Sequence, residues 1–317
     1  MPRYSVIVCE ALDADALAWL AERCDVTKLD DAAALTPDLL ARADGLVVRT
    51  YTRVDAALLA RAPRLRCVAR AGVGLDNIDV AACRARNVEV VHTPGANTDA
   101  VAEYVFALLL DALRPRTLLT RDLDQAAWSK ARSAHVAPRE LRACTIGIIG
   151  LGRVGSRVAR IARGFAMPAI YNDLLDIPDD RRHGARPAAL DHLLRTADIV
   201  TLHTDDRASN RNLIDAGKLA LLRDDAVIIN TSRGMVLPAA PLADFLRSRP
   251  RATAILDVHD PEPFGPDYPL LGLPNAKLSP HLAAATANAH ANMSWVVRDL
   301  WRVLSGEKPE NPAPRTA

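Results

Sequence analysis

Short, almost continuously apolar runs alternate along the chain with longer segments whose apolar residues recur at helical spacing. Such strands, apolar on both faces, are typical of parallel sheets that helices cover on both sides. The segments between them, such as 13–23, 56–62 and 100–113, predict the crossover helices. The pattern therefore predicts an α/β protein. Its strand-like runs are YSVIVCE, GLVVRT, LRCVARAG, VEVVHTPG, TIGIIGLG, PAIYND, IVTLHT, AVIINTS and ATAILDVHD.

This many strand–helix units exceeds one comfortable sheet, and a length of 317 residues suits two domains. We therefore expect two Rossmann-like, doubly wound parallel-sheet domains. The boundary is expected near Thr98, where HTPGANTD ends the first series of strands. A helical pattern over 287–304 could return to the first domain. The expected division is 1–98 plus 286–317 for one domain and 99–285 for the other.

Composition excludes several classes of protein. Apolar residues make up 50% and charged residues 25%, and the net charge is only +2, so we expect a globular chain without a nucleic-acid partner. The longest nearly apolar stretch, 101–113, is interrupted by Glu103 and Asp111 and predicts no membrane span. Five scattered cysteines indicate neither disulfides nor a metal site. A cytoplasmic location is the simplest expectation.

A glycine pattern typical of dinucleotide binding lies in the middle of the chain. Gly150, Gly152 and Gly155 fit G-x-G-x-x-G between a strand-like run and a helical pattern over 156–162. The first glycine permits a tight turn, the second lets the backbone approach a pyrophosphate, and the third lets helix and strand pack closely. The alternative is an ordinary glycine turn in an unrelated α/β protein.

A carboxylate follows the next predicted strand. Asp173 stands 23 positions after Gly150, where it would accept hydrogen bonds from the adenosine ribose. Its charge would repel a 2′-phosphate, so the cofactor is expected to be NAD rather than NADP. The same fingerprint could bind FAD, although that form usually stands at the start of a chain.

Several motifs, taken in order, resemble the D-isomer-specific 2-hydroxyacid dehydrogenase family, and the likeness covers almost the whole chain. The resemblance implies a first domain that binds substrate, a second that binds NAD and an active-site cleft between them. It also implies a small 2-hydroxy or 2-keto acid as the reactant. The motifs are VRTYTRV at 48–54, RAGVGLDNID at 70–79, PGANTDAVAEY at 94–104, GLGRVG at 150–155, INTSRG at 229–234, LDVHDPEP at 256–263 and LSPHLA at 278–283.

The reaction needs a group that exchanges a proton near neutral pH, because the hydroxyl proton leaves as a hydride leaves C2. The resemblance implies that His281 is this group and that Glu262 accepts a hydrogen bond from its imidazole. It implies that Arg233 holds the substrate carboxylate, which a guanidinium fork binds with two parallel hydrogen bonds. His203 and His259 lie near the same motifs and are competing candidates.

Further contacts follow from the resemblance alone. For several of these residues the alternative is a purely structural role at a strand end or in a turn, and Asp257 could simply cap a strand. Besides the three glycines and Asp173, the implied cofactor residues are Arg153, Val154, Thr204, Thr231 and Asp257. The implied substrate residues are Arg49, Thr50, Val73, Gly74 and Asn97.

Several residues depart from the family pattern: Asp205 replaces a usual proline, His259 a usual aromatic residue, Ala284 a frequent glycine and Val73 a frequent threonine. The first-domain motifs are most similar to the phosphoglycerate dehydrogenase branch, so 3-phosphoglycerate is the leading substrate, with glyoxylate or hydroxypyruvate reduction as the alternative. A non-catalytic, NAD(H)-sensing corepressor is an alternative of a different class. The family is usually dimeric, and 100–113 could form an apolar dimer face.

Overall fold

Helices and strands alternate through the computed structural model, which describes residues 3–30, 32–114, 116, 118–137 and 139–314. The strands in these ranges are β1 (Ser5–Cys9), β2 (Asp25–Leu29), β3 (Gly45–Val48), β4 (Cys67–Arg70), β5 (Glu89–Val91), β6 (Ile146–Ile149), β7 (Ala169–Asn172), β8 (Arg186–Pro187), β9 (Ile199–Leu202), β10 (Val227–Asn230), β11 (Thr253–Leu256) and β12 (Ala276–Leu278). The helices are α1 (Ala14–Ala21), α2 (Pro37–Arg42), α3 (Ala56–Ala60), α4 (Val80–Ala85), α5 (Thr98–Leu113), α6 (Gln125–Ala134), α7 (Arg153–Gly164), α8 (Asp179–Arg182), α9 (Leu190–Thr196), α10 (Ala216–Leu219), α11 (Ala239–Ser248), α12 (Ala287–Ser294) and α13 (Val297–Ser305).

The chain divides into two compact units. The first unit comprises Met1–Asn97 and Ala284–Ala317, and the second comprises Thr98–Ala283. The first division falls after residue 97 where the sequence suggests 98, and the second falls after residue 283 where the sequence suggests 285. Each unit contains its own parallel sheet, as expected for two Rossmann-like α/β domains.

The first unit is built on five parallel strands in the order β2-β1-β3-β4-β5. Side chains of β1 alternate between the two faces: Ile7 joins one buried cluster and Val6 joins the other. Leu300 and Leu304 of α13 belong to the same cluster as Val6. The final helix therefore completes the core of the unit in which the chain begins.

The second unit is built on seven parallel strands in the order β12-β11-β10-β9-β6-β7-β8. Both faces are buried, with Ile148 in one cluster and Ile228 in the other. This order brings the carboxyl ends of β7, β6, β9, β10 and β11 side by side. Ligands of open α/β sheets bind at that edge, so the loops after these strands are the candidates for a site.

Three strands, β2, β8 and β12, are absent from the runs that the sequence pattern identifies. All three lie at sheet edges, where strands are only partly covered and a continuous apolar run is not required. The helical pattern over 287–304 also forms two helices rather than one. Between α12 and α13 the backbone makes a tight turn, in which the Val296 N–H donates to the Met293 carbonyl oxygen.

One apolar face of helix α5, the helix that the sequence suggests for a dimer contact, packs inside the second unit. Its residues Val101, Val105, Phe106 and Leu109 are buried, and the last three belong to the core of the second unit. Packing inside the unit uses this face. Among the described residues, no helix is both long enough and apolar enough to cross a membrane.

Candidate active site

The imidazole of His281 and the carboxylate of Glu262 are in direct contact. His281 Nδ1 lies 2.9 Å from Glu262 Oε2, and because a carboxylate accepts, Nδ1 carries the hydrogen and Nε2 is left to exchange a proton. Burial opposes ionisation of Glu262. Hydrogen bonds from His281 and from the His259 N–H, 2.6 Å from Oε1, nevertheless hold the pKa of Glu262 below its usual value. A carboxylate so held fixes the orientation of the His281 ring.

The segment that carries His281 is fixed by a fully buried carboxylate. Asp257, at the end of β11, accepts hydrogen bonds from Ser279 Oγ at 2.6 Å and from the Leu282 N–H and the Ala283 N–H, each at 2.8 Å. His281 itself has φ of 56°, in the left-handed region that non-glycine residues rarely adopt. The hydrogen bonds on both sides of it hold this conformation, as is common at functional sites.

Arg233 follows β10 in a turn that the side chain of Asn230 organises. Asn230 Nδ2 donates to the Arg233 carbonyl oxygen at 2.9 Å, and its Oδ1 accepts from the Ser232 N–H and hydroxyl. A Cβ on Gly234 would lie 2.0 Å from the His259 carbonyl carbon, so only glycine lets the two strand-end turns approach. The sequence INTSRG thus brings the Arg233 turn against the turn that leads to Glu262.

The glycine fingerprint forms the tight turn that the sequence predicts. Gly150 has φ of 87°, and a Cβ there would lie 2.6 Å from the His203 carbonyl oxygen. A Cβ on Gly155 would lie 2.0 Å from the Gly150 carbonyl oxygen, so helix α7 can pack this closely only with glycine. A Cβ on Gly152 would meet nothing within 4 Å. Gly152 faces open space at the N-terminus of α7, as expected of a backbone that a phosphate approaches.

Two further observations fit a dinucleotide at this edge. Asp173 follows β7 and accepts hydrogen bonds from the Leu151 N–H at 2.6 Å and the Leu175 N–H at 2.9 Å, which fixes its carboxylate beside the glycine turn. The hydroxyls of Thr204 and Thr231 are buried and have no hydrogen-bond partner in the described part of the chain. Buried polar groups are normally satisfied, so these hydroxyls are suited to a bound ligand.

Asp205, which stands at the usual proline position, shapes its own loop. Its carboxylate accepts hydrogen bonds from Arg207 Nε at 2.7 Å and from Asn210 Nδ2 at 2.8 Å. These contacts hold the pKa of Asp205 below its usual value, the hydrogen bond from Arg207 being the largest cause. The charge that the sequence places unexpectedly near the cofactor residues is therefore paired with Arg207.

In the first unit, an internal carboxylate organises the loop that follows β3. Glu10 accepts hydrogen bonds at 3.0–3.3 Å from four consecutive backbone N–H groups, those of Arg49, Thr50, Tyr51 and Thr52. The backbone of Arg49 and Thr50 is thus satisfied internally, and a ligand here would meet side chains instead. Sequence reasoning missed Glu10, although its position directly after the first strand is a usable signal.

The guanidinium of Arg49 lies against the ring of His290, another residue that sequence reasoning missed. Arg49 Nη1 lies 3.4 Å from His290 Nδ1, and Nη2 lies 3.3 Å from Nε2. Nη1 also donates to the Ala11 carbonyl oxygen at 3.0 Å. No carboxylate oxygen of the described residues comes within 4.0 Å of this guanidinium. Burial lowers the pKa of Arg49, and burial together with the Arg49 charge lowers the pKa of His290.

The remaining substrate candidates follow β4 and β5. The backbone N–H groups of Val73 and Gly74 donate to no acceptor among the residues that the structure describes, so they are available to an anion. The Val73 carbonyl oxygen instead contacts His92 Nδ1 at 2.9 Å. Asn97 ends this part of the first unit.

Of the competing histidines of the second unit, His259 is buried and His203 is partly buried. Burial lowers the pKa of His203 to about 3, so its imidazole is neutral at neutral pH, and Nε2 lies 2.9 Å from Thr201 Oγ1. Both ring nitrogens of His259 contact protein groups, one the Tyr268 hydroxyl and the other the Ser279 carbonyl oxygen. His281, whose side chain is 45% exposed, is the better placed of the three to meet a substrate.

Comparison with known proteins gives a consistent result. Residues 106–283 match the model of the D-isomer specific 2-hydroxyacid dehydrogenase, NAD binding domain. The chain is 34% identical to a glyoxylate reductase of Aeropyrum pernix over 98% of this chain and 96% of that protein. It is also 34% identical to a D-3-phosphoglycerate dehydrogenase of Archaeoglobus fulgidus, but it covers only 48% of that protein's length and 81% of its own.

Solved structures show the same architecture. An NADPH-dependent glyoxylate/hydroxypyruvate reductase of Sinorhizobium meliloti is 30% identical and superposes with a TM-score of 0.85 over 99% of each chain. The two-sheet α/β fold expected from the sequence is therefore confirmed.

Proposed function

Because the chain belongs to the D-isomer-specific 2-hydroxyacid dehydrogenase family, we propose that it is an oxidoreductase that transfers a hydride between NAD and C2 of a small D-2-hydroxy acid or its 2-keto acid. The observation that carries the proposal is the 2.9 Å contact between His281 and Glu262. A hydride transfer at C2 must be matched by a proton transfer at the attached oxygen, and this pair is built to exchange a proton.

Each residue has a distinct part in this reaction. When bound, the nicotinamide accepts or supplies the hydride. His281 Nε2 takes the hydroxyl proton during oxidation and returns one to the carbonyl oxygen during reduction. Glu262 orients the imidazole and stabilises its protonated form, and Arg233 holds the substrate carboxylate and polarises the carbonyl.

We propose NAD rather than NADP as the cofactor. Gly150, Gly152 and Gly155 with the N-terminus of α7 would hold the pyrophosphate, and Asp173 would accept hydrogen bonds from the ribose hydroxyls. A 2′-phosphate would meet the carboxylate of Asp173. The cofactor would also contact Arg153, Val154, Thr204, Thr231 and Asp257.

For the substrate we propose 3-phosphoglycerate, and Arg49 supports this choice. The Arg49 guanidinium is half-buried, no carboxylate oxygen of the described residues lies within 4.0 Å of it, and its charge opposes protonation of His290. Such a guanidinium is suited to a strongly charged anion such as a phosphate. Thr50 and Asn97 would add contacts to it. The N–H groups of Val73 and Gly74 would hold the C1 carboxylate.

Reduction of glyoxylate or hydroxypyruvate is the second candidate, favoured by the near full-length match to a glyoxylate reductase. These substrates carry no phosphate for Arg49. The variant Arg49→Gln therefore separates the two candidates: KM for the phosphorylated substrate should rise at least tenfold, while KM for glyoxylate should stay unchanged.

We further propose a homodimer, but through the segment after α5 rather than through α5. Helix α6 buries none of its residues, and large apolar side chains around it are exposed. Such a cluster on one segment is typical of a protein–protein contact. Light scattering of the variant Trp128→Glu should show a monomer if this segment forms the interface. The exposed apolar side chains are Leu118, Leu119, Trp128 and Val136.

The decisive test of the reaction is His281→Gln, assayed with 3-phosphoglycerate, glyoxylate, hydroxypyruvate and D-lactate and both nicotinamide cofactors. Turnover should fall by a factor of about 10²–10⁴, because the proton acceptor is lost. NADH binding, followed by fluorescence, should change little. His192→Gln, at an exposed histidine of the same unit, is the matched control. Unchanged turnover in His281→Gln would exclude His281 as the base.

A further inference from the structure

One residue contacts both sides of the His281–Glu262 pair. The backbone N–H of His259 donates to Glu262 Oε1 at 2.6 Å. The ring Nε2 of the same residue lies 3.0 Å from the carbonyl oxygen of Ser279, two residues before His281. His259 therefore links the turn that carries the carboxylate to the segment that carries the imidazole.

The ring of His259 is buried among aromatic side chains. The residue is 7% exposed, and its Nδ1 lies 3.2 Å from the Tyr268 hydroxyl. Phe264 meets the ring edge-on at a centroid distance of 4.7 Å and stacks on Tyr268 at 4.4 Å. Aromatic packing and two hydrogen bonds thus restrict the same imidazole.

The hydrogen-bond partners fix where the protons lie. A carbonyl oxygen only accepts, so His259 Nε2 must carry the hydrogen that is donated to Ser279. Burial, reinforced by the charges of Glu262 and Asp260, raises the pKa of Tyr268 to about 12, so its hydroxyl stays protonated and can donate to Nδ1. The Tyr268 hydroxyl, the His259 imidazole and the Ser279 carbonyl form one continuous, satisfied chain.

We propose that His259, held by Tyr268, is a positioning residue that sets the contact between His281 and Glu262. The inference rests on the proposed function, since it assigns His259 a part in the use of that pair. An apolar aromatic ring at position 259 would fill the same space but could not hold the Ser279 carbonyl. The histidine that replaces the usual aromatic residue at position 259 therefore adds a hydrogen bond to the segment that carries His281.

Three variants separate the hydrogen bonds from the packing. His259→Phe keeps a ring but removes both ring hydrogen bonds, and Tyr268→Phe removes only the hydroxyl. His259→Gln restores a donor that can reach Ser279. Phe264→Leu, the control, changes packing against the ring and removes none of these hydrogen bonds.

The readouts are kcat, KM, NADH binding by fluorescence, the melting temperature and the pH dependence of turnover. For His259→Phe we expect kcat to fall about tenfold, the value of one net hydrogen bond, with NADH binding unchanged. In the direction of keto-acid reduction, in which His281 acts in its protonated form, the acid limb of the pH profile should move to higher pH. The reason is that a looser contact with His281 lets the pKa of Glu262 return towards its usual value. Tyr268→Phe should show a smaller change of the same kind, and His259→Gln should recover most of the loss.

The proposal is overturned if His259→Phe leaves kcat and the pH profile unchanged. It is equally overturned if the only effect is a lower melting temperature, or if Phe264→Leu shifts the acid limb as much as His259→Phe does. If His259→Phe does not fold, the comparison of Tyr268→Phe with Phe264→Leu decides the question. His281→Gln is measured in parallel to distinguish this proposal from the proposed function. If His281→Gln loses turnover and His259→Phe does not, only the positioning role of His259 is rejected.

Discussion

Replacing Asp257 by asparagine tests how the catalytic segment is held. The buried carboxylate accepts three hydrogen bonds, from Ser279 Oγ, the Leu282 N–H and the Ala283 N–H. Asparagine has nearly the same shape, so Asp257→Asn opens no cavity. In either orientation of the amide, however, its NH₂ group faces a backbone N–H, and a donor then meets a donor.

The expected loss of stability follows from these contacts. A hydrogen bond to a charged group contributes about 1.5–3 kcal/mol, and a buried N–H left without an acceptor costs about 1–3 kcal/mol. One of the three hydrogen bonds is lost, and the other two are then made to a neutral amide instead of a charged carboxylate. The free energy of unfolding should therefore fall by about 3 kcal/mol. For a unit of 186 residues, Thr98 to Ala283, this lowers the melting temperature by about 6–12 °C.

Differential scanning calorimetry and urea unfolding measure this change, with Asp244→Asn, at an exposed carboxylate of the same unit, as the control. At 25 °C, well below the transition, turnover should also fall because the position of His281 is less well defined. A melting temperature within 1 °C of the wild type would refute the reasoning. If NADH affinity fell and the melting temperature did not, the cofactor contact proposed for Asp257 would be its only role.

Three further predictions follow from the geometry of the second unit. Gly155→Ala should destabilise the protein by about 1–3 kcal/mol in urea unfolding, because the new Cβ would overlap the Gly150 carbonyl. Gly152→Ala should leave stability unchanged and weaken NADH binding, because a Cβ there meets no protein atom. The pKa of Glu262 is depressed in the folded state, so its stabilising contribution is complete above the unfolded value near 4.5 and disappears as pH falls through the lower folded value. The variant Glu262→Gln should lack this acid dependence in thermal melts recorded between pH 2 and 6. Asp173→Ala should reduce the preference for NADH over NADPH at least tenfold in binding titrations, and an unaltered preference would show that the ribose is recognised elsewhere.

The sequence predicted correctly those structural features that lie within one short segment of the chain. The central strands of both sheets are apolar on both faces and were therefore visible as runs, whereas the edge strands β2, β8 and β12 were not. The turn at Gly150 was predictable for the same reason, because the fingerprint contains the whole turn within six residues.

Contacts between distant segments could not be read from the chain. Glu10 and the loop at 49–52 are about 40 residues apart, and Arg49 and His290 are separated by 241. Neither pair has a local pattern, because the contact exists only after β1 and β3 pair and after the C-terminal segment returns to the first unit. The likeness to a family supplied the identity of His281 and Glu262, but not how Asp257 and His259 hold them.

The sequence by itself determined the class of fold, the dinucleotide turn and the types of residue available for chemistry, since each of these depends on spacing within a few turns of chain. Tertiary structure decided which groups are hydrogen-bonded to each other: Glu262 to His281, and Asp257 to the segment at 279–283. The physical reason is that a hydrogen bond depends on distances of about 3 Å, and only the pairing and packing of strands far apart in sequence set distances at that scale.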